Sequence, residues 1–259
     1  MANTSARRGT RITRRLGRLY AGLALYGVSS ALLVRAGLGL EPWGVLHQGL
    51  SERTGLTIGV VSIIVGAAVL LLWIPIGQRP GLGTVSNVFA VGIAMDGTLA
   101  VVPDARGLAL RITTVIAGVV LNGVATGLYI SARLGPGPRD GLMTGLHRIT
   151  GRSVRLVRTG IEVAVVVTGF LLGGSLGAGT VLYALAIGPL AQFFLRVFTS
   201  PEDMPAAPAP REEVPRDEVP HQEIRRDEAL HDGAAPGDRA SGGGATGTGP
   251  PPGQAILPR

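Results

Sequence analysis

Long apolar runs, separated by short polar connections, fill the chain up to residue 198. A membrane helix needs about 20 mostly apolar residues, and six runs meet that requirement: 16–34, 57–76, 82–102, 108–130, 154–172 and 178–197. Asp96-Gly97 interrupts the third run, and Arg155 and Arg158 open the fifth. A further segment lies between the first and second runs, and another between the fourth and fifth. Each is too short and too polar to cross. Pro42 and Pro138 stand where a first helical position tolerates a missing N–H. Trp43, Leu46 and Leu50 then recur at helical spacing, as do Leu142, Leu146 and Ile149. Gly55 and Gly151 suit helix ends. The pattern predicts a short amphipathic or re-entrant helix in each half.

The two halves are copies. A shift of 96 positions places Gly22 on Gly118, Gly27 on Gly123, Gly39 on Gly135, Pro42 on Pro138 and Gly83 on Gly179, without a gap. Apolar composition alone matches Leu and Val by chance, but it does not align a Gly-Pro framework. A hydrophobic repeat of this length predicts two copies of one membrane bundle. Each copy holds three spans. An odd number makes the second copy enter the membrane from the opposite side. With a cytoplasmic N-terminus, 14 of the 18 Arg before residue 199 fall on the inside and 4 outside, the positive-inside bias of such a topology. The first predicted architecture is therefore an all-α membrane protein with six transmembrane helices in two inverted three-helix repeats.

Composition divides the chain further. The segment 1–15 is a basic cytoplasmic N-terminus. Residues 16–102 form the first repeat and 108–198 the second. Residues 199–259 are rich in Pro, Ala, Gly and charge, and such a sequence cannot bury enough apolar surface to offset its conformational entropy. It reads as a disordered cytoplasmic tail. The net charge of +7 is misleading, because the tail is acidic and the body strongly basic. The Arg of the body sit between apolar runs, which argues for membrane topology rather than nucleic-acid binding. Arg7-Arg8 and Arg14-Arg15 precede the first run as in an export signal. No small-residue cleavage site follows, so the run reads as a signal anchor. There is no cysteine, hence no disulfide or thiolate metal chemistry.

The pairing of Gly39-x-x-Pro42-Trp43-x-x-Leu46-His47-x-Gly49-Leu50 with Gly135-Pro136-x-Pro138-Arg139-Asp140-Gly141-Leu142-Met143 resembles the bacterial YczE/YyaS/YitT family of integral membrane proteins. Gly179-Thr180-Val181, Ala186-Ile187-Gly188-Pro189-Leu190 and Gly83-Thr84-x-x-Asn87 carry the same likeness. The resemblance covers the body from Leu16 to Val197. It implies a polytopic protein of the plasma membrane and no defined reaction. In this family the first copy often has Asp after Pro-Trp. Here that position is Gly44, whereas the second copy keeps Asp140. A symmetric acidic pair is not expected.

Ionisable residues inside apolar runs mark function by default. Glu162 lies two turns into the fifth run, and Arg158 four residues earlier shares its face. The pair reads either as a coupling or binding site, or as an intrahelical ion pair near the interface. Asp96 either faces a cavity or ends its helix, and Asn87 suits a hydrogen bond to a neighbouring helix. Arg139 and Asp140 open the second short helix, where Asp suits the positive end of the dipole. Trp43 reads as an interfacial belt residue. His47 and His147 read as polar-face residues without metal-ligand spacing. No catalytic constellation, cofactor motif or metal set stands out, so no enzyme is expected. The expected partners are the lipid bilayer and an unknown small molecule or membrane protein, with no nucleic acid. Two functions stay open: a small-molecule transporter with its site at the repeat interface, and a scaffold or accessory protein for a membrane-bound partner.

Overall fold

The computed structural model describes residues 2–199, with side chains from Ile12 onward. The expected tail lies, from residue 200, outside the described residues. Eight helices make up the described part: α1 (Ala2–Ala36), α2 (Pro42–Thr54), α3 (Ile58–Ile76), α4 (Leu82–Val101), α5 (Leu108–Ser131), α6 (Pro138–Thr150), α7 (Val154–Leu171) and α8 (Ala178–Phe198). α1 runs through the basic segment 1–15, where Arg is a good helix former and no proline interrupts. Five helices have the length and apolarity to cross a membrane: the part of α1 from Ile12, then α3, α4, α5 and α8. The fifth expected run, α7, is not among them. It has 18 residues and carries Arg155, Arg158 and Glu162.

Local chemistry repeats at the 96-residue spacing. Pro42 and Pro138 open α2 and α6, which end at Gly55 (φ +71°) and Gly151 (φ +65°). The Thr57 hydroxyl accepts from Val60 N–H at the start of α3, and the Ser153 hydroxyl accepts from Leu156 N–H at the start of α7. These side chains satisfy amide donors that a helix start leaves free. Thr84 and Thr180 do the same for Gly81 N–H and Gly177 N–H.

Long-range contacts repeat as well, with the partners exchanged. Gly83 N–H donates to Leu134 C=O, and Gly179 N–H donates to Leu38 C=O, both at 2.8 Å. Arg15 Nε donates to Ala132 C=O, and Arg111 Nε to Ala36 C=O, both at 2.7 Å. Each guanidinium thus caps the C-terminal carbonyls of the other copy's first helix, where cations are favoured. A Cβ on Gly22 would press on Tyr129 and Ala125, while one on Gly118 would press on Leu33 and Ser29. These glycines let α1 and α5 approach closely, as small residues do between helices in lipid. α1 packs on α4 and α5, and α5 packs on α8. The short helices cross over: α2 lies on α7 and α6 on α3.

One exchange joins large to small. Trp73 of α3 fills the space over Gly141 of α6, and its Nε1–H donates to Pro138 C=O at 3.1 Å. At the equivalent place Gly169 of α7 lies against Val45 and Leu46 of α2, with 2.5 Å from a built Cβ to Leu46 Cα. The outward faces of the bundle are apolar, with Leu71, Ile74, Ile93, Leu171, Leu185 and Phe193 all exposed. A continuous surface of that kind fits hydrocarbon rather than water.

Candidate functional site

The starts of α2 and α6 meet in the middle of the bundle. Arg139 of α6 stacks its guanidinium over the Trp43 ring of α2, 4.8 Å from the centroid. Two adjoining cavities of about 320 Å³ and about 130 Å³ open around this contact. They share Tyr26, Trp43, Arg139, Asp140, Arg158 and Tyr183 in their walls. Trp43 is buried and is not an interfacial belt residue, because α6 covers it. His47 is also buried, beside the larger cavity. Burial and the nearby Arg139 hold its imidazole well below the usual range, so it is neutral at pH 7.

Glu41 stands just before Pro42 at the start of α2, with no side-chain hydrogen bond to the helix. It is 3% exposed. Ser30 Oγ–H donates to its Oε1 at 3.0 Å, while its Oε2 is buried without a partner. The carboxylate folds over Gly44, where a built Cβ would lie 2.8 Å from Oε2. In α6 the arrangement reverses. Asp140 folds back over Gly137, with 3.1 Å from a built Cβ to Oδ2, and Oδ2 accepts from Tyr129 O–H at 2.8 Å. Gly137 is the counterpart of Glu41, and Asp140 that of Gly44. Each short helix therefore begins with one carboxylate, supplied from opposite ends of an i, i+3 pair. The two carboxylates stand at non-equivalent positions, as the absence of an acid at Gly44 requires. Burial pushes the Glu41 carboxyl above its ordinary range, with Arg139 opposing the shift.

A second polar chain crosses the bundle. Asn122, fully buried, donates to Ser29 Oγ at 2.7 Å and accepts from Tyr183 O–H at 3.0 Å, joining α1, α5 and α8. The sequence-predicted residues distribute as follows. Arg139, Asp140 and Arg158 border both cavities, Asn87 the larger and Glu162 the smaller. Arg158 and Glu162 pair at 2.9 Å. Asp96 lies elsewhere: its Oδ1 accepts from Gly59 N–H at 2.8 Å and its Oδ2 from the Thr57 hydroxyl, so it holds the start of α3. Gly39 and Gly135, both at positive φ, turn the chain into the short helices beside Thr180 and Thr84. Gly83 and Gly179 make the exchanged contacts above. Sequence reasoning passed over Glu41, Tyr26, Tyr129 and Tyr183. Only the position of Glu41 beside Pro42 signalled a role.

Residues 13–196 match a protein family described as a family of unknown function, DUF6198. The chain belongs to that family. Similar members include an uncharacterized protein of Haemophilus influenzae, 40% identical over 69% of this chain and 82% of its own length. The uncharacterized membrane protein YczE of Bacillus subtilis is 35% identical over 68% of this chain and 83% of its own length. The uncharacterized protein YyaS of the same organism is 27% identical over 68% and 90%. No solved structure matches. Likeness to a protein named as a membrane protein, together with five apolar helices of spanning length, makes this DUF6198 chain an integral, multi-pass membrane protein.

Proposed function

We propose that this protein is a small-molecule transporter of the bacterial plasma membrane, with six spans in two inverted repeats and both termini cytoplasmic. α7 is the sixth span. Its 18 residues reach about 27 Å at 1.5 Å per residue, and its Arg side chains snorkel. The single observation that carries the reading is the cavity where the two short helices meet, walled by both repeats. Secondary transporters bind their substrates at such a junction of broken helices, and about 320 Å³ suits a small molecule.

An asymmetry between the halves supports it. α3 and α4 pack tightly, with Gly59 against Gly92 and Asp96 latching the start of α3. Their counterparts α7 and α8 barely touch, and a Cβ on Gly188, the equivalent of Gly92, would meet nothing within 4 Å. The larger cavity runs toward this opening, past Gly188, Ala191 and Gln192. In the proposed topology the closed pair faces outward and the open pair inward. Exchange of the two arrangements between nearly equivalent halves is alternating access.

The test reconstitutes the purified chain in liposomes filled with a bacterial metabolite extract. Solutes lost faster than from protein-free vesicles are identified by mass spectrometry. One or a few such solutes are expected, and retention equal to that of empty vesicles rejects transport. The absence of native cysteine allows a parallel check of inversion. Single cysteines at Thr54 and Thr150, both exposed and 96 residues apart, are labelled in intact cells with a membrane-impermeant maleimide. Labelling of position 54 alone is expected; equal labelling rejects the inverted topology.

A further inference from the structure

Two groups of opposite charge type border the smaller cavity without a direct ion pair between them. Glu41 and Arg139 both border it, yet among the described residues Arg139 makes no ion pair or hydrogen bond, and its guanidinium lies on the Trp43 ring. Glu41 presents a buried oxygen with no donor. Each is oriented by other contacts: Glu41 by Ser30 of α1 and the space over Gly44, Arg139 by stacking on Trp43 of α2. A buried carboxylate oxygen without a donor is costly. A site that keeps one for an incoming N–H lowers that cost only when the ligand is bound. The Arg139 guanidinium offers a fork matched to a carboxylate, at the positive end of α6, where anions are favoured.

We propose that the cavity binds a small zwitterion, an α-amino acid with an apolar side chain, its carboxylate on Arg139 and its ammonium on Glu41. Asp140 flanks the same space and supplies a second acceptor, since an ammonium has three donors. The apolar side chain enters the larger cavity, where Val65, Val69, Val88, Val91 and Ile187 form much of the wall. Arg158 and Glu162 also border the smaller cavity but satisfy each other, so they add no net charge to the balance. This assignment rests on the transporter reading for its purpose, though not for its geometry.

The test compares three probes of one shape on the detergent-purified full chain: leucine, isocaproate, which lacks the ammonium, and isoamylamine, which lacks the carboxylate. Binding is read by thermal stabilisation over a range of concentrations. Leucine should raise the melting temperature. Each single-charge probe should bind about tenfold or more weaker, the expected loss for one charge-assisted contact. Glu41→Gln keeps the Ser30 contact and the shape, and it should weaken leucine by a similar factor while leaving isocaproate unchanged. Arg139→Gln should do the converse with isoamylamine, and Glu52→Gln, on the exposed end of α2, should change nothing. Isocaproate or isoamylamine matching leucine on the unaltered chain overturns the two-point site. So does the failure of leucine, valine and phenylalanine alike to stabilise it. Leucine binding without vesicle flux removes the transporter and keeps the site; flux of a solute that is not a zwitterion, without leucine binding, does the reverse.

Discussion

The contact between Trp73 and Gly141 allows the exchange of partners between halves to be tested by free energy. Trp73 is 1% exposed, and a Cβ at Gly141 would overlap its Cζ2 and Cη2 atoms and lie 2.9 Å from Cε2. Gly141→Val therefore displaces the indole and breaks its bond to Pro138 C=O. Overpacking costs about 1–3 kcal/mol and the lost hydrogen bond about 1 kcal/mol, so a loss of about 2–4 kcal/mol is expected. Trp73→Gly empties the site, at about 3–5 kcal/mol for the cavity and about 1 kcal/mol for glycine in a helix. If the sites were independent, the double variant would lose about 6–10 kcal/mol.

The double variant, however, places Val against Gly, the combination that Val45 and Gly169 already make between α2 and α7. α6 can then settle on α3 as α2 settles on α7. The double variant should lose less than the sum of the two single losses, with a coupling energy of about 1.5–3 kcal/mol. The assay is equilibrium unfolding in mixed micelles of rising SDS fraction, followed by far-UV circular dichroism. Additive losses would refute the equivalence of the two interfaces.

Three further outcomes are expected. Arg15→Gln and Arg111→Gln each remove a charge-assisted bond to a helix-end carbonyl, and each should cost about 1.5–3 kcal/mol; a drop in melting temperature for one alone would break the symmetry. Asp96→Asn weakens the hold on Gly59 N–H and the Thr57 hydroxyl, a helix-start loss of about 0.5–2 kcal/mol, and should speed hydrogen exchange at Gly59, Val60 and Val61; unchanged exchange there would show that the carboxylate does not latch α3. Burial raises the Glu41 carboxyl, so the folded chain keeps a proton that the unfolded chain loses first. Stability should therefore fall as pH rises above the ordinary carboxylate range and level off above the folded value; Glu41→Gln should flatten that slope in melting curves across pH, and an unchanged slope would place the titration elsewhere.

Much of the fold was legible because its determinants are local. Apolar run lengths, Pro42 and Pro138 at helix starts, and Gly55 and Gly151 at helix ends lie in the sequence at the spacing where the helices form. The repeat was legible because close backbone approach favours glycine at Gly39 and Gly83 and at their counterparts, so identity survives there. Glu162 and Arg158 were legible as a pair because one helix turn joins them.

The site was less legible because its equivalences are conserved as volume and charge, not as residues. Glu41 over Gly44 and Asp140 over Gly137 deliver the same carboxylate from different positions. Compared position by position, each column reads as a charge lost. The same holds for Tyr26 against Asn122 and Asn87 against Tyr183, where one tyrosine and one asparagine change places between the copies, and for Trp73-Gly141 against Gly169-Val45. Such swaps have a physical cause. In the proposed inverted repeat, equivalent side chains of the two copies approach one another near the axis and compete for one space. Two carboxylates on each short helix would add like-charge repulsion around the shared cavities. Complementary exchange relieves the crowding and keeps the total. In the proposed inverted repeat, positions where the copies disagree in this paired manner mark the axis, and Glu41, Tyr26, Asn87, Asp140 and Tyr183 among them line the cavities.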